Sequence, residues 1–515
     1  MFLKLQKIAF GLIISLTIII AVCFIVFNFN GIDKASTLIA VALLLSILVL
    51  IYKTKLASVI INRFKKISSS RYCSILFILL VLGIGVALRL LIANHFNYSP
   101  TQGDTRTFVG IAANVGHHPE TFDYYRSLGD YHGLVHNQFI AFYPYVALYT
   151  ILLAGSFHVI PSVWLATIVL NIIFELLTCW AIWLAIRKIL NIKNHPERSP
   201  YPLIAVPLYF LNPFTITFCL MSLPISLTNL FIALIILTAS YLLADLATNR
   251  LKSVLVWSLL MGLAIGVGNW SRPIMTIFAI ALAFTLIIAA KTKLNKSAPL
   301  ALMGVGLVII TIIACSLVGR ASLGQLLKTN VAHNPSGWSV FVGSNLETSG
   351  HWNMYDETKK ITVCNNVADV DGCHNNLRQA GINRYQSYKL NDFLSLMAHK
   401  LTSFLGQQDD LNDFAVSLQA KSTKVYQLIK IYVIVFVISL FAVVVIGLKK
   451  LLVGSTNNNS LVASNILFLS LFVVGFVLSS LVFEVSNRYA QPLYPVVIVL
   501  FVVLLPSLFS RASSS

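Results

Sequence analysis

"YKTKLASVIINRFKKISSSRYCSILFILLVLGIGVALRLLIA", residues 52–93, sets six basic residues in front of a long apolar run. A helix needs about 20 consecutive apolar residues to cross a bilayer core. Lys and Arg collect in the loops on the cytoplasmic side of a membrane protein. We therefore expect residues 52–71 to lie in the cytoplasm and residues 73–93 to cross the membrane outward.

The same alternation recurs along the whole chain, whose 515 residues are 57% hydrophobic and only 11% charged, with a mean hydropathy of +0.82. That composition is typical of an integral membrane protein. The first apolar run follows a basic start and lacks a small-residue cleavage pattern, which favours a retained anchor over a signal peptide. Thirteen apolar segments predict an all-α polytopic fold; they start near residues 8, 36, 73, 138, 163, 201, 224, 253, 273, 298, 425, 460 and 490.

The basic loops set a topology and raise one problem of parity. Residues 187–198 form a basic loop and should be cytoplasmic, so one of the segments 138–158 and 163–186 should not span. About twelve crossings (11 to 13), with both termini in the cytoplasm, then fit the basic loops. Two long regions, 94–137 and 319–424, face outward. The net charge of +19 follows from these loops and from anionic lipid, so no nucleic-acid partner is needed.

This topology predicts four parts of the chain. They are a two-helix membrane segment (1–72), a membrane module (73–318) whose outer loop 94–137 is the candidate catalytic loop, an extracytoplasmic loop region (319–424), and C-terminal membrane helices (425–515).

Acidic residues crowd on the predicted outer side, since only Glu175, Glu197 and Asp245 of the 18 Asp and Glu fall elsewhere. Solvated loop charge explains most of them. Asp104 differs because it precedes "TFVGIAANVG" (107–116), whose apolar residues have the spacing of an amphipathic helix on the membrane surface. The spacing alone leaves open whether Asp104 only caps that helix or has a chemical role.

The same outer loop holds Arg106, His117, His118 and Glu120. Each suits an interfacial position when taken singly. Two adjacent histidines with a nearby acid could bind a metal, but neighbouring side chains rarely converge on one ion. We expect no metal and no other cofactor, with a divalent metal kept as the less favoured alternative.

Aromatic and basic residues mark the predicted outer membrane boundary. Tyr143 stands at the mouth of an apolar segment, where aromatic belts also occur without function. Arg272 in "GVGNWSRPIM" and Arg488 in "VFEVSNRYAQPLYP" each stand where an apolar segment meets the outer face, and Glu484 precedes the second. Either arginine could anchor lipid, or bind a ligand phosphate with its guanidinium fork.

The second outer region centres on "NPSGWSVFVGSNLETSGHWNMYDE" (334–357), rich in Gly, Asn, Ser and Trp. Such a run suits sugar-binding loops, although an ordinary surface loop uses the same turn residues. Cys364 and Cys373 lie close together here and predict a local disulfide. The following residues 383–413 have a helical period and should lie on the outer leaflet.

Taken together, these features resemble the C-type membrane glycosyltransferases (GT-C). The shared features are an acid in the first large outer loop followed by a surface helix, a Tyr-Pro at the next apolar segment, an outward Arg-Pro, a long outer loop, and the late "NRYAQPLYP". The nearest branch is that of the bacterial relatives of protein O-mannosyltransferases and lipid A aminoarabinose transferases. The resemblance covers roughly residues 73–510 and is strongest in layout.

The resemblance implies an inverting transfer of one sugar from a polyprenyl-phosphate donor to a hydroxyl of an extracytoplasmic acceptor. Asp104 would be the base, and Arg272 and Arg488 would bind the donor phosphate. Many relatives carry an Asp-Glu pair where "QGDTRT" has a single acid. The remaining substrate-binding candidates are Arg106, Tyr143, Trp338, Asn345, Trp352, Glu484 and Tyr489.

Two other classes of function stay open. A polymerase or ligase of surface polysaccharide would also need outer arginines and a polyprenyl-linked substrate. A transporter or flippase should carry charged residues deep in its helices. Glu175 is the only clear intramembrane acid in the sequence, which argues against coupled transport. The expected location is the cell membrane, with partners limited to the lipid-linked donor, membrane lipid and the acceptor.

Overall fold

The computed structural model describes residues 56–96, 103–115, 136–160, 162–192, 199–290, 298–364, 369–406, 445 and 460–509. The apolar segments predicted near residues 8, 36 and 425 lie outside these ranges, as do His117, His118 and Glu120. Neither terminus of the chain falls within them.

The described residues contain α-helices, two short 3-10 helices and no strand. The helices are α1 (Leu56–Ser68), α2 (Arg71–Phe96), α3 (Gly103–Val115), α4 (His136–Phe142), α5 (Ala147–Val159), α6 (Val163–Ile189), α7 (Pro200–Phe210), α8 (Pro213–Cys219), α9 (Ile225–Ala247), α10 (Leu251–Gly268), α11 (Thr276–Ala290), α12 (Ala298–Leu327), α13 (Ser336–Gly343), α14 (Met354–Val363), α15 (Val370–Ser387), α16 (Leu390–Gly406), α17 (Ser460–Val482) and α18 (Leu493–Phe509). The 3-10 helices are Pro144–Val146 and Asn487–Ala490.

Six of the described helices are long and apolar enough to cross a membrane, namely α2, α6, α9, α10, α12 and α17. Four shorter apolar helices accompany them, at Pro144–Val159, Pro200–Phe210, Thr276–Ile288 and Leu493–Pro506. The predicted all-α polytopic membrane fold is confirmed. The total of about twelve crossings stays a prediction.

The lengths of α5 and α6 bear on the parity problem. α5 has 13 residues and α6 has 27. At 1.5 Å per residue α5 extends for about 20 Å, which is short of a 30 Å hydrocarbon core. The chain is also interrupted at Tyr143, because Pro144 has no N–H with which to continue α4. Segment 138–158 is therefore the one that falls short by length.

A second interruption divides the segment predicted near residue 201 into α7 and α8. The break lies at Leu211 and Asn212, directly before Pro213. The Asn212 side chain accepts a hydrogen bond from the Phe214 N–H at 3.0 Å and so caps α8. The capped end satisfies a backbone donor that the break would otherwise leave unpaired inside the bundle.

A buried arginine of α2 lies beside the break between α7 and α8. Arg89 of α2 is fully buried, its Nη1 donates to the Gly85 carbonyl at 2.9 Å, and its guanidinium lies 4.3 Å from the Phe210 ring centroid. Glu175 of α6 is also fully buried. It accepts a hydrogen bond from the Tyr209 hydroxyl and lies within electrostatic range of Arg89. The acid that the sequence marked as intramembrane thus has a cationic neighbour.

The region α13–α16 (residues 336–406) follows α12. α12 runs to Leu327, so the predicted domain boundary at residue 318 falls inside a helix. Of the predicted helical stretch 383–413, the structure describes residues up to 406, and these are divided between α15 and α16 around Tyr388. Leu396 and Phe404 of α16 are buried whereas Leu390 and Leu394 are exposed, and the position of this helix on the outer leaflet stays a prediction.

Candidate active site

Asp104 stands in the first turn of α3, which begins at Gly103. The helix forms where the sequence predicted it. An amphipathic surface helix would expose one side, whereas this helix is buried on every side over two turns. Residues 107–113 are all buried, and the Phe108 ring lies 6.3 Å from the ring of Tyr149 on α5. A carboxylate in the first turn is favoured by the helix dipole, so this position by itself requires no chemical role.

A turn of aromatic residues, Tyr143–Pro144–Tyr145, follows the end of α4. Tyr143 has φ −118° and ψ 67°, which takes the chain out of the helix before Pro144 opens the 3-10 helix. The two phenol rings are 6.0 Å apart, and Tyr143 also packs against Phe142 at 4.7 Å. We refer to residues 143–145 as the tyrosine turn.

Several carboxylates act on the first phenol of the tyrosine turn. Burial raises the pKa of Tyr143 well above its usual value, and the charge of Glu357 adds most to that effect among the acids. Glu484 and Asp104 raise it further. The phenol therefore stays protonated at neutral pH and is a hydrogen-bond donor in a site lined by acids.

The second phenol connects this group to a cation. Burial raises the pKa of Tyr145 well above its usual value. Tyr489, Glu484 and Asp104 raise this pKa further, and the charge of Arg272 lowers it. These residues come from α3, the turn after α10 and the stretch between α17 and α18. The fold thus gathers parts of the chain that are far apart in sequence around the tyrosine turn, including the acid Asp104 and the cation Arg272.

Arg272 lies in the turn between α10 and α11, partly buried. Its guanidinium carbon is 4.7 Å from the centroid of the Tyr489 ring, a cation–π arrangement. Arg488 precedes Tyr489 in the second 3-10 helix, but its side chain lies outside the described part of the structure. The structure therefore places one of the two predicted phosphate-binding arginines beside the tyrosine turn.

Backbone hydrogen bonds hold Glu484 in place. The Glu484 N–H donates to the Ser339 carbonyl of α13 at 2.7 Å, and the next N–H, of Val485, donates to the Gly350 carbonyl at 3.0 Å. The charge of Glu484 also reaches Lys400 of α16. The region α13–α16 therefore fixes the position of this carboxylate, which the sequence analysis related only to Arg488.

Glu357 and Lys360 form a buried ion pair on α14 that the sequence analysis missed. Lys360 is 1% exposed, and its Nζ lies 5.3 Å from the Trp338 ring centroid and 5.7 Å from that of Phe142. The i, i+3 spacing of an acid and a base was visible in the sequence. It carried no signal of burial, because such pairs are usual on exposed helix faces.

Three predicted sugar-binding residues contact other side chains of the protein. Trp338 is 4% exposed, and Asn345 is 7% exposed and donates to Asp356 Oδ2 at 2.8 Å. The Trp352 indole N–H donates to Glu357 Oε2 at 3.3 Å, although the residue is 43% exposed. Trp338 and Asn345 are buried in this structure and Trp352 is exposed, and the sugar-binding role of all three stays a prediction.

Two further predictions concern the described residues around the site. Arg106 lies on α3, two residues after Asp104, and is partly buried. Cys364 and Cys373 are joined in a disulfide that links the end of α14 to the start of α15. Within the described residues, no group of three or more His, Cys, Asp and Glu is arranged to hold a metal ion.

A long stretch of the chain that carries half of this site is similar to a known membrane-protein family. Residues 83–330 match PIG-U, a GPI transamidase subunit. The PIG-U match begins in α2, ends just after α12, and includes Asp104, the tyrosine turn and Arg272. Glu357 and Glu484 lie beyond it. The match does not single out the O-mannosyltransferase branch. No curated protein and no solved structure matches the chain significantly.

Proposed function

We propose that this chain is a membrane glycosyltransferase that moves one sugar from a polyprenyl-phosphate donor to a hydroxyl of an extracytoplasmic acceptor. The observation that carries the proposal is that the carboxylate of Asp104 and the guanidinium of Arg272 both lie within electrostatic range of the same phenol, Tyr145. Transfer from a lipid phosphate needs a base for the acceptor and fixed positive charge for the leaving group. The PIG-U match and the GT-C resemblance overlap over the residues that supply both.

In the proposed reaction Asp104 takes the proton of the acceptor hydroxyl. The acceptor oxygen forms a bond to the anomeric carbon while the bond from that carbon to the phosphate oxygen breaks, with inversion. The electron pair of the broken bond leaves on the polyprenyl phosphate, next to Arg272 and, by our sequence prediction, Arg488. The phenols of the tyrosine turn donate hydrogen bonds to donor or acceptor oxygens.

A second candidate follows from the PIG-U match alone. The chain would then be a subunit of a larger membrane complex that modifies proteins, with no chemistry of its own at Asp104. A polymerase or ligase that uses the same lipid-linked sugars remains an alternative within the first candidate. A test at Asp104 separates chemistry from a subunit role.

The test uses Asp104→Asn, with Asp392→Asn as its matched control. Both acids stand in the first turn of a helix, and Asp392 of α16 lies outside the site. Asn keeps the shape of Asp and one acceptor oxygen, which suffices to cap a helix, but it cannot accept a proton at neutral pH. The purified protein is placed in vesicles with labelled polyprenyl-phosphate sugars and membrane acceptors.

We expect Asp104→Asn to lose on the order of a hundredfold or more in transfer rate while still binding donor, and Asp392→Asn to transfer at the parental rate. Parental transfer by Asp104→Asn would remove the base from the mechanism. Absence of any transfer by the parent, together with its purification in a larger complex, would favour the subunit role.

A further inference from the structure

The end of α4 is held from outside by the region α13–α16 and the residues before it. Because Pro144 cannot continue the helix, the last carbonyls of α4 have no partner within it. The Ala141 carbonyl accepts from the Ala332 N–H at 2.9 Å. The Phe142 carbonyl accepts from Nε2 of His374 at 3.0 Å. Both carbonyls immediately precede the tyrosine turn.

His374 is seated tightly against this helix end. Its ring stacks on the Phe142 ring with centroids 4.0 Å apart and planes 30° from parallel, and the residue is 1% exposed. A Cβ added to Gly337 would stand 2.0 Å from the His374 carbonyl oxygen, so α13 closes over the backbone as well. The stack on Phe142 orients the ring, and the close approach of α13 fixes the backbone that carries it, so the position of Nε2 against the Phe142 carbonyl is defined.

The start of α15, which carries His374, is itself pinned. Cys373, the preceding residue, forms the disulfide with Cys364. Asp371 accepts hydrogen bonds from the His333 N–H at 2.7 Å and pairs with the His333 ring at 2.6 Å. His333 directly follows the residue that binds the Ala141 carbonyl. One connected set of contacts therefore runs from the disulfide to the end of α4.

We propose that His374 is a positioning residue that sets the tyrosine turn in the active site by holding the Phe142 carbonyl. The inference rests on the proposed function, since the turn matters for the transfer reaction. Burial lowers the pKa of His374 to about 4, so the ring is neutral at physiological pH. Since Nε2 faces a carbonyl, Nε2 carries the proton. Nδ1 is buried and has no hydrogen-bond partner among the described residues.

The test compares three substitutions of His374 in the full-length protein. Gln places an amide N–H at the reach of Nε2, whereas Asn is one carbon shorter and Leu has no donor. His399→Leu, at an exposed position of α16, is the matched control. Each variant is measured for kcat and KM of sugar transfer, for its melting midpoint, and by 19F NMR with 3-fluorotyrosine in place of Tyr143.

We expect His374→Leu and His374→Asn to lose about tenfold to a hundredfold in kcat, with donor KM nearly unchanged, because displacement of a site by about 1 Å can cost that much. Their fluorotyrosine signal should shift or broaden. His374→Gln should restore both signal and rate, and His399→Leu should change neither.

Parental rate and signal in His374→Leu and His374→Asn would overturn the proposal. Loss of both in a normally melting His374→Gln would also overturn it. If Leu fails to fold, Asn and Gln still decide the question. The NMR signal decides it even if the parent transfers no sugar, so failure of the proposed function and failure of this inference are distinct results.

Discussion

At the scale of single residues, Arg272 is the cation whose environment is best defined. Its guanidinium faces the Tyr489 ring at 4.7 Å and lies within electrostatic range of the Tyr145 phenol. A lipid anchor would point its charge toward headgroups, and it would tolerate any long cation. A ligand for a phosphate monoester or diester would depend on the planar fork of Arg.

We predict that Arg272→Ala is nearly inactive and that Arg272→Lys keeps part of the activity, because Lys keeps the charge and loses the bidentate fork. The loss should appear in donor KM and in kcat of sugar transfer. Arg320→Lys is the control, since Arg320 of α12 binds the Ser316 carbonyl of its own helix. Normal transfer by Arg272→Ala would assign this arginine to lipid anchoring.

Lys400 gives a prediction about pH. Burial lowers the pKa of Lys400 to about 7, although the nearby charge of Glu484 opposes that effect. The folded protein then releases a proton near pH 7 that the unfolded chain holds until about pH 10.4. The unfolded state binds more protons in this interval, so the contribution of Lys400 to stability rises with pH through it and is constant below pH 7.

Comparison of the parent with Lys400→Met from pH 6 to pH 9 measures this effect. The stability difference should stay level below pH 7 and move in favour of the parent above it, by up to about 1.4 kcal/mol per pH unit. The measurement is the melting midpoint in detergent. Curves that stay parallel over the whole range would show that Lys400 keeps an ordinary pKa.

At the scale of elements, the two interruptions of the apolar helices do different things. The break at Pro144 delivers the tyrosine turn to the site. The break before Pro213 brings α7 and α8 against α2 and α6, where Arg89 and Glu175 are buried. Neither break was predicted from the sequence, because hydropathy averages over a window and a run with one proline remains apolar throughout.

We predict that Arg89→Met and Glu175→Gln are each strongly destabilising and that the double variant loses less than their sum. Arg89 and Glu175 are both fully buried and lie within electrostatic range of each other, so removal of one leaves the other charge less compensated, at a cost of up to about 3–5 kcal/mol. The measurement is a double-mutant cycle on melting midpoints in detergent. Additive losses would mean that the two charges do not interact.

At the scale of the whole molecule, the orientation in the membrane is a prediction of the basic loops. In a background with Cys73→Ser, since Cys73 is an exposed free cysteine, we introduce Glu347→Cys and Ser69→Cys, both at exposed positions. A membrane-impermeant thiol reagent should label residue 347 in intact cells and residue 69 only after permeabilisation. The reverse pattern would invert the topology and place the proposed chemistry in the cytoplasm.

The sequence predicted the membrane class and the apolar helices, because both depend on composition over many residues. It predicted α3 from the spacing of the apolar residues after Asp104. It also proposed Asp104, Tyr143, Arg272, Glu484 and Tyr489 for one site, and the structure brings these five together. Glu357, Lys360 and His374 could not be found in this way. Their importance depends on burial against the end of α4, more than 200 residues away, and no local pattern records a contact of that range.

The hydrogen bonds at the end of α4 have a consequence for how such a protein diversifies. The acceptors there are the main-chain carbonyls of Ala141 and Phe142, which persist whatever side chains α4 carries. Substitutions in α4 therefore leave both acceptors in place, even where they remove the stack of the Phe142 ring on His374. The stretch similar to PIG-U ends at residue 330, two residues before Ala332, whose N–H donates to the Ala141 carbonyl. In a chimaera exchanged at that point, the hydrogen bond from the N–H of residue 332 to the carbonyl of residue 141 should persist, because it joins two main-chain groups.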